Sequence, residues 1–125
     1  MEEGNITLTE GNITLTIEPA PSIPNLKIIT IKGFFDTVTS KYVDEKIMPV
    51  IEQENSNVIL NLSNVNYLSS IGMLRLIKYL TSLTDQKRLV KFVKPTTYIY
   101  STFVAAGIAS RFDMYDSLEV AISSF

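Results

Sequence analysis

Ser69 and Ser70 stand at the entrance to an apolar run in which Met73, Leu74, Ile77 and Leu80 recur at helical spacing. A serine at the start of a helix has two uses. Its hydroxyl can accept a hydrogen bond from a backbone N–H of the first turn and serve only as a cap. Alternatively, an exposed hydroxyl can receive a phosphoryl group. The unpaired N–H groups of the first turn and the helix dipole favour an anion there. A phosphate brings roughly −1.5 to −2 charges. The local residues leave both uses open, and capping is the commoner. A third use, nucleophilic catalysis, lacks its usual partner. The chain contains no histidine and no cysteine, so serine–histidine triads, thiolate chemistry and disulfides are excluded, and no lysine stands close in sequence to pair with Ser70. Zinc without His or Cys ligands would be unusual. These absences favour a binding module over an enzyme, with no resident metal or cofactor expected.

The bulk properties agree. At 125 residues the chain has the length of one domain. It is 46% hydrophobic and 19% charged, enough for a core. The net charge is −2 and the basic residues are scattered, so the footprint of a nucleic-acid binder is missing. No segment approaches the ~20 apolar residues of a membrane span. The start, Met1-Glu2-Glu3-Gly4, lacks the basic-then-apolar order of an export signal. The expected compartment is the cytoplasm, with neither membrane nor nucleic acid as partner.

The elements that must hold the serines follow from the pattern. Glu3-Gly4-Asn5-Ile6-Thr7-Leu8-Thr9 recurs unchanged as Glu10 to Thr16. Each copy reads as a short strand after a turn, and the two would either pair as a hairpin or compete for one strand position. Pro19, Pro21 and Pro24 mark a surface connection. We divide the chain into an N-terminal region, 1–25, and a globular part, 26–125, within a single domain overall.

Leu26 to Lys32 predicts a strand closed by Gly33-Phe34-Phe35-Asp36. Asp36 can cap a helix starting near Thr37, with Val43, Ile47, Val50 and Ile51 inward and Pro49 kinking or ending it. Val58 to Leu60 predicts a buried strand, Leu62 to Ser70 a loop, and Ile71 to about Leu83 the clearest helix. Arg75, Lys78, Ser82 and Asp85 form that helix's polar stripe. Arg75 and Lys78 could meet an acidic partner or a phosphate, although a solvated face is the plainer reading. Arg88 to Val93 predicts a strand. A helix follows Thr96 or Thr97, with Ile99, Phe103 and Ala106 inward and Tyr98 and Tyr100 as packing residues. Phe112 to Tyr115 is strand-like, and a last helix begins near Ser117 with Leu118, Ala121 and Ile122 inward. This alternation implies an α/β layer of mostly parallel strands. With so few helices, some strands would be covered on one face only.

The stretch Leu62-Ser63-Asn64-Val65-Asn66-Tyr67-Leu68-Ser69-Ser70-Ile71-Gly72, between a strand and an apolar helix, resembles the switch region of the STAS domain family (sulfate transporter and anti-sigma factor antagonist). Gly33-Phe34-Phe35-Asp36 is similar to that family's strand-to-helix corner. Gly107-Ile108, Phe112 and Tyr115 through Ile122 are similar to its C-terminus. The resemblance spans about residues 26 to 125.

It implies an α/β STAS-like fold, with a four- to five-stranded mixed sheet and about four helices. It implies a stand-alone anti-sigma factor antagonist that binds an anti-sigma factor acting also as a serine kinase. Phosphorylation of the serine matching Ser70 would release that partner, and a phosphatase would reverse the switch. ATP would be bound by the kinase. Asp36, Ser69, Ile71, Gly72, Met73 and Arg75 form the expected partner-binding or switch-loop set. Gly72 matches the glycine that lets the first turn pack closely, and Asp36 an acidic residue near the serine. Where phosphorylated members usually carry Asp before the serine this chain has Ser69, where many have Asp at the strand end it has Asn61, and Ile71 stands where the residue is often small or hydroxylated. Ser69 is therefore a second candidate acceptor. The competing expectation is an unphosphorylated partner-binding subunit of a larger sensory or lipid-transport assembly.

Overall fold

A computed structural model describes residues 4–125; Glu3, the first residue of the duplicated heptapeptide, lies outside the described residues. One mixed sheet runs in sequence order through β1 (Ile6–Glu10), β2 (Ile13–Pro19), β3 (Leu26–Phe35), β4 (Asn57–Leu68), β5 (Val90–Val93) and β6 (Met114–Tyr115). The first two pairings are antiparallel and the last three parallel. Six strands stand where four or five were expected. The extra one is β1, because the two heptapeptide copies form a hairpin around Gly11-Asn12 and do not compete for one place.

The parallel strands need crossovers, supplied by α1 (Ser40–Gln53), α2 (Ser70–Asp85) and α3 (Thr97–Ala105). These three cover one face. Val43, Ile47, Val50 and Ile51 of α1, Leu76, Tyr79 and Leu83 of α2, and Ile99 and Phe103 of α3 share a core with Leu15, Ile29, Ile31, Val58 and Leu60. α4 (Leu118–Ser123) covers part of the other face, where Ala121 meets Leu26, Ile28, Ile59 and Val93. Adjacent strand residues such as Ile28 and Ile29 are thus both buried, on opposite faces. Beyond α4 that second face presents Thr16, Thr30, Lys32 and Phe34 to solvent or near it.

Several sequence expectations shift. Residues 62–68 are strand, not loop: β4 continues beside β3 as far as the Phe35–Leu68 pair. Two bulges lie in β4, between the Thr30–Asn61 and Lys32–Asn64 pairs and between Gly33–Val65 and Phe34–Tyr67. They change the parity, so Leu62 and Val65 face one core at a spacing of three, and no alternation remains to be read. The buried Asn61 holds the first bulge: its Oδ1 accepts from the Ser63 N–H (3.1 Å) and the Ser63 hydroxyl (2.7 Å).

Helix α1 starts at Ser40, later than Thr37, and continues past Pro49 to Gln53. The buried stripe of α2 is Leu76, Tyr79 and Leu83, while Met73, Ile77 and Leu80 are half-buried and Leu74 is exposed. Ala106 and Tyr98 are exposed, not packed inward. Thr96 occupies the cap position of α3 without a side-chain cap bond. Arg88 precedes β5 and is no part of it.

Candidate functional site

β3 and β4 end side by side, and both lead directly into the site. Phe35 pairs with Leu68, and the Ser69 N–H donates to the Phe35 carbonyl at 3.0 Å. Asp36 and Ser69 therefore follow neighbouring strand ends, at the carboxyl edge of the parallel sheet, where open α/β sheets bind their ligands.

The two serines take different roles. Ser69 is the N-cap of α2. It is half-buried, extended (φ −85°, ψ 172°), and its Oγ accepts from the Gly72 N–H at 3.2 Å. Ser70 is the first helical residue and is exposed. The sequence left capping and display as alternatives for one serine; adjacent serines divide them. Gly72 is required by close approach. A Cβ there would stand 2.5 Å from the Phe35 carbonyl oxygen and 2.8 Å from Leu68 Cδ1, so a side chain would push the first turn off the strand ends. Ile71 and Met73 are half-buried beside it.

Asp36 organises the opposite wall. Its Oδ1 accepts from the backbone N–H groups of Val38 (3.0 Å) and Thr39 (3.1 Å), and the Thr39 hydroxyl donates to the Phe34 carbonyl at 2.7 Å. The carboxylate thus caps the turn before α1. That turn leaves Val38 86% exposed. Phe34 and Tyr67, paired across β3 and β4 with ring centroids 5.9 Å apart, are also exposed, as is Leu74 one helical turn after Ser70. Sequence reasoning missed these exposed apolar residues. The available signal was Phe34 directly before the buried Phe35, since neighbours on a strand face opposite ways.

Arg75, five residues after Ser70 on α2, reaches towards α1. Its Nε lies 3.8 Å from Asp44 Oδ1 of α1, Lys78 Nζ is 3.2 Å from Asp44 Oδ2, and the Tyr79 hydroxyl donates to Asp44 Oδ1 at 2.9 Å. Arg75 and Lys78 thus have an internal partner. Burial, reinforced by the hydrogen bond to Asp44 and by its charge and only partly opposed by Arg75, raises the Tyr79 phenol well above its ordinary value.

The sign of the pH effect follows. In the unfolded chain this phenol ionises near pH 10, while the folded protein retains the proton. Tyr79 therefore contributes stability below about pH 10 and loses it as pH rises towards the folded value. Tyr79→Phe is expected to unfold with a shallower decline between about pH 9 and about pH 11. Urea midpoints across that range check it, and equal slopes would reject the assignment.

An open cleft lined by Ala20, Ile23, Leu26, Glu52, Glu54 and Ser56 lies elsewhere, at the amino ends of β3 and β4. Among the described residues no helix is long and apolar enough to cross a membrane.

Comparison with known proteins accords with this geometry. The STAS domain family matches residues 19–121. No curated protein sequence matches the chain. Among solved structures, an anti-sigma factor antagonist from Mycobacterium paratuberculosis superposes with a TM-score of 0.78 at 20% identity, covering 90% of this chain and 92% of its own. The unphosphorylated anti-sigma factor antagonist SpoIIAA superposes with a TM-score of 0.72 at 18% identity, covering 88% and 94%. The Bacillus cell fate determinant SpoIIAA in its phosphorylated form gives 0.68 at 18% identity, covering 88% and 97%. At these identities the likeness is one of fold.

Proposed function

The chain belongs to the STAS domain family, and from that premise we propose that it is a stand-alone anti-sigma factor antagonist switched by phosphorylation of Ser70. The observation that carries this reading is the division of labour at the start of α2. Ser69 spends its hydroxyl on the Gly72 N–H, whereas Ser70 is exposed. Phe34, Val38, Tyr67 and Leu74 are exposed on the elements that meet at this junction.

Exposed apolar surface of this kind suits a protein partner, here an anti-sigma factor that is also a serine kinase. Desolvating its side chains drives docking, and the small neutral hydroxyl does not obstruct it. After phosphoryl transfer from the kinase's ATP the helix N-terminus still tolerates the anion. The partner surface, fitted to a neutral group, would then face a desolvated dianion, and the complex would break. The fold survives and the interface does not, which is what a reversible switch with a phosphatase requires. The chain itself catalyses nothing in this scheme and works in the cytoplasm beside its kinase.

Labelling with the cognate kinase and ATP tests the reading. Ser70→Ala is expected to fold, bind and accept no phosphate. Ser69→Ala is expected still to be labelled, but to lose about 1 kcal/mol of stability with its cap. Ser70→Asp is expected to fold and to bind the kinase at least about tenfold more weakly, roughly 1.4 kcal/mol. Labelling of Ser70→Ala at the wild-type level would reject Ser70 as acceptor. If no kinase labels the wild type, the unphosphorylated-subunit reading replaces this one.

A further inference from the structure

The switch makes no use of the duplicated heptapeptide, whose first copy forms a sheet edge. Natural edge strands are usually blunted by Lys, Pro, a bulge or shortness. The far edge, β6, is two residues long. β1 is five residues long, Asn5 to Glu10 contains neither Lys nor Pro, and its pairing with β2 is regular. Ile6 is 53% exposed and Leu8 only partly buried against the core.

The pairing of β1 with β2 is the pairing of a sequence with its own copy. Leu8 stands opposite Leu15, its equivalent in the repeat. Thr7 stands opposite Thr16, the equivalent of Thr9, and Thr9 opposite Thr14, the equivalent of Thr7. The register is therefore symmetric about the leucine, and the molecule already contains an antiparallel self-association of this heptapeptide. The parity of the ladder leaves the same register available outward. The two-residue turn makes Glu10–Ile13 a hydrogen-bonded pair, so Leu8–Leu15 is another, and the backbone groups of Thr7 and Thr9 point to the free edge.

We propose that β1 is a homodimerisation edge, pairing antiparallel with β1 of a second copy around a two-fold axis at Leu8. Thr7 exchanges backbone hydrogen bonds with the partner's Thr9, and Thr9 with the partner's Thr7. Leu8 meets the partner's Leu8 on the core face, and the two sheets become continuous. The interface is isologous, so it closes at two subunits. Glu10 is the only charged residue in the segment Asn5 to Glu10. The two copies of it stand at opposite ends of the ladder, about 14 Å apart by strand rise, so like charges do not oppose each other. Ser70 follows β4, three strands away, so this edge is distinct from the switch surface.

The natural lack of cysteine supplies a clean test. Across a non-hydrogen-bonded pair the Cα atoms are about 4.5 Å apart, within disulfide range. Leu8→Cys in the full chain is expected to form a disulfide-linked dimer under mild oxidation. Thr7→Cys faces the partner's Thr9, with its own counterpart about 7–8 Å away on the diagonal, and is expected to cross-link at least about tenfold less. In sedimentation from roughly 1 µM to 1 mM the wild type is expected to pass from monomer to dimer. Thr7→Pro, which removes only an N–H on the free edge, is expected to remain monomeric at unchanged melting temperature. A wild type that is monomeric throughout, equal cross-linking of the two cysteine variants, or undiminished association of a folded Thr7→Pro protein would overturn the proposal. If proline disturbs the hairpin, the cysteine contrast decides.

Discussion

Replacing Arg88 by alanine is expected to lower the unfolding free energy by about 3–5 kcal/mol, a large share of the ~5–15 kcal/mol typical of a domain. Arg88 is 7% exposed. Its Nε donates to the Ser56 carbonyl at 2.6 Å, Nη1 to the Ile51 carbonyl and to Gln86 Oε1, and Nη2 to the Val50 carbonyl at 2.9 Å. Val50 and Ile51 lie in the last turns of α1, where carbonyls lack intrahelical partners and the dipole is negative. One guanidinium thus closes the end of α1, the connection to β4 and the approach to β5. Alanine removes the charge and takes the side-chain donor from the Val50 and Ser56 carbonyls, while the Ile51 carbonyl keeps the Gln86 Nε2 at 3.0 Å. Each hydrogen bond to a charged group contributes about 1.5–3 kcal/mol, so their loss outweighs the relief from desolvating an arginine. Lysine keeps the charge but lacks the planar fork, and is expected to restore less than half of the loss. Thermal melts check both: a fall of roughly 10–20 °C for Arg88→Ala is expected, and a change under about 2 °C would refute the role.

Gly33→Ala is expected to be nearly as damaging, for a backbone reason. Gly33 has φ +112°, outside the range that side-chain-bearing residues adopt comfortably, and a Cβ would lie 2.1 Å from the Asn12 carbonyl oxygen. That carbonyl also accepts from the Phe34 N–H at 2.8 Å. It cannot move aside without loosening the hairpin turn and the start of β2. Backbone strain costs about 1–3 kcal/mol and overpacking about as much again, so a loss of about 2–5 kcal/mol is expected. The consequence should reach the proposed switch. The residues after Gly33 are the exposed Phe34, Phe35, whose carbonyl receives the Ser69 N–H, and Asp36, which caps the turn before α1. A folded Gly33→Ala protein is therefore expected to bind the proposed kinase partner more weakly than wild type. Urea midpoints and binding titrations read the two effects separately; a midpoint indistinguishable from wild type would reject the steric argument.

By itself the sequence determined the alternation of strands and helices, the serine pair at the start of α2, the glycine that follows it, and the absence of histidine and cysteine. These are local properties. A 3.6-residue period, a capping residue or a missing residue type is legible without knowing what lies across the sheet. Ser117 and the buried face of α1 were read correctly for that reason.

Other features depended on residues distant in sequence. The bulges of β4 exist because β3 runs beside it with fewer residues, and they erase the alternation that would have revealed Leu62 to Leu68 as strand. Arg88 read only as the first residue of a strand until three carbonyls from residues 50, 51 and 56 enclosed it. Arg75 and Lys78 looked available until α1 brought Asp44 against them. Which of Ser69 and Ser70 caps α2 lay between neighbours of identical chemistry. Only the junction of Phe35 with Leu68 decided it, because the Ser69 N–H bonded to the Phe35 carbonyl anchors the cap at the strand ends and leaves the next hydroxyl outside. The tertiary structure converts equal side chains into unequal ones by assigning their hydrogen bonds, and that assignment is not a property of any local stretch of sequence.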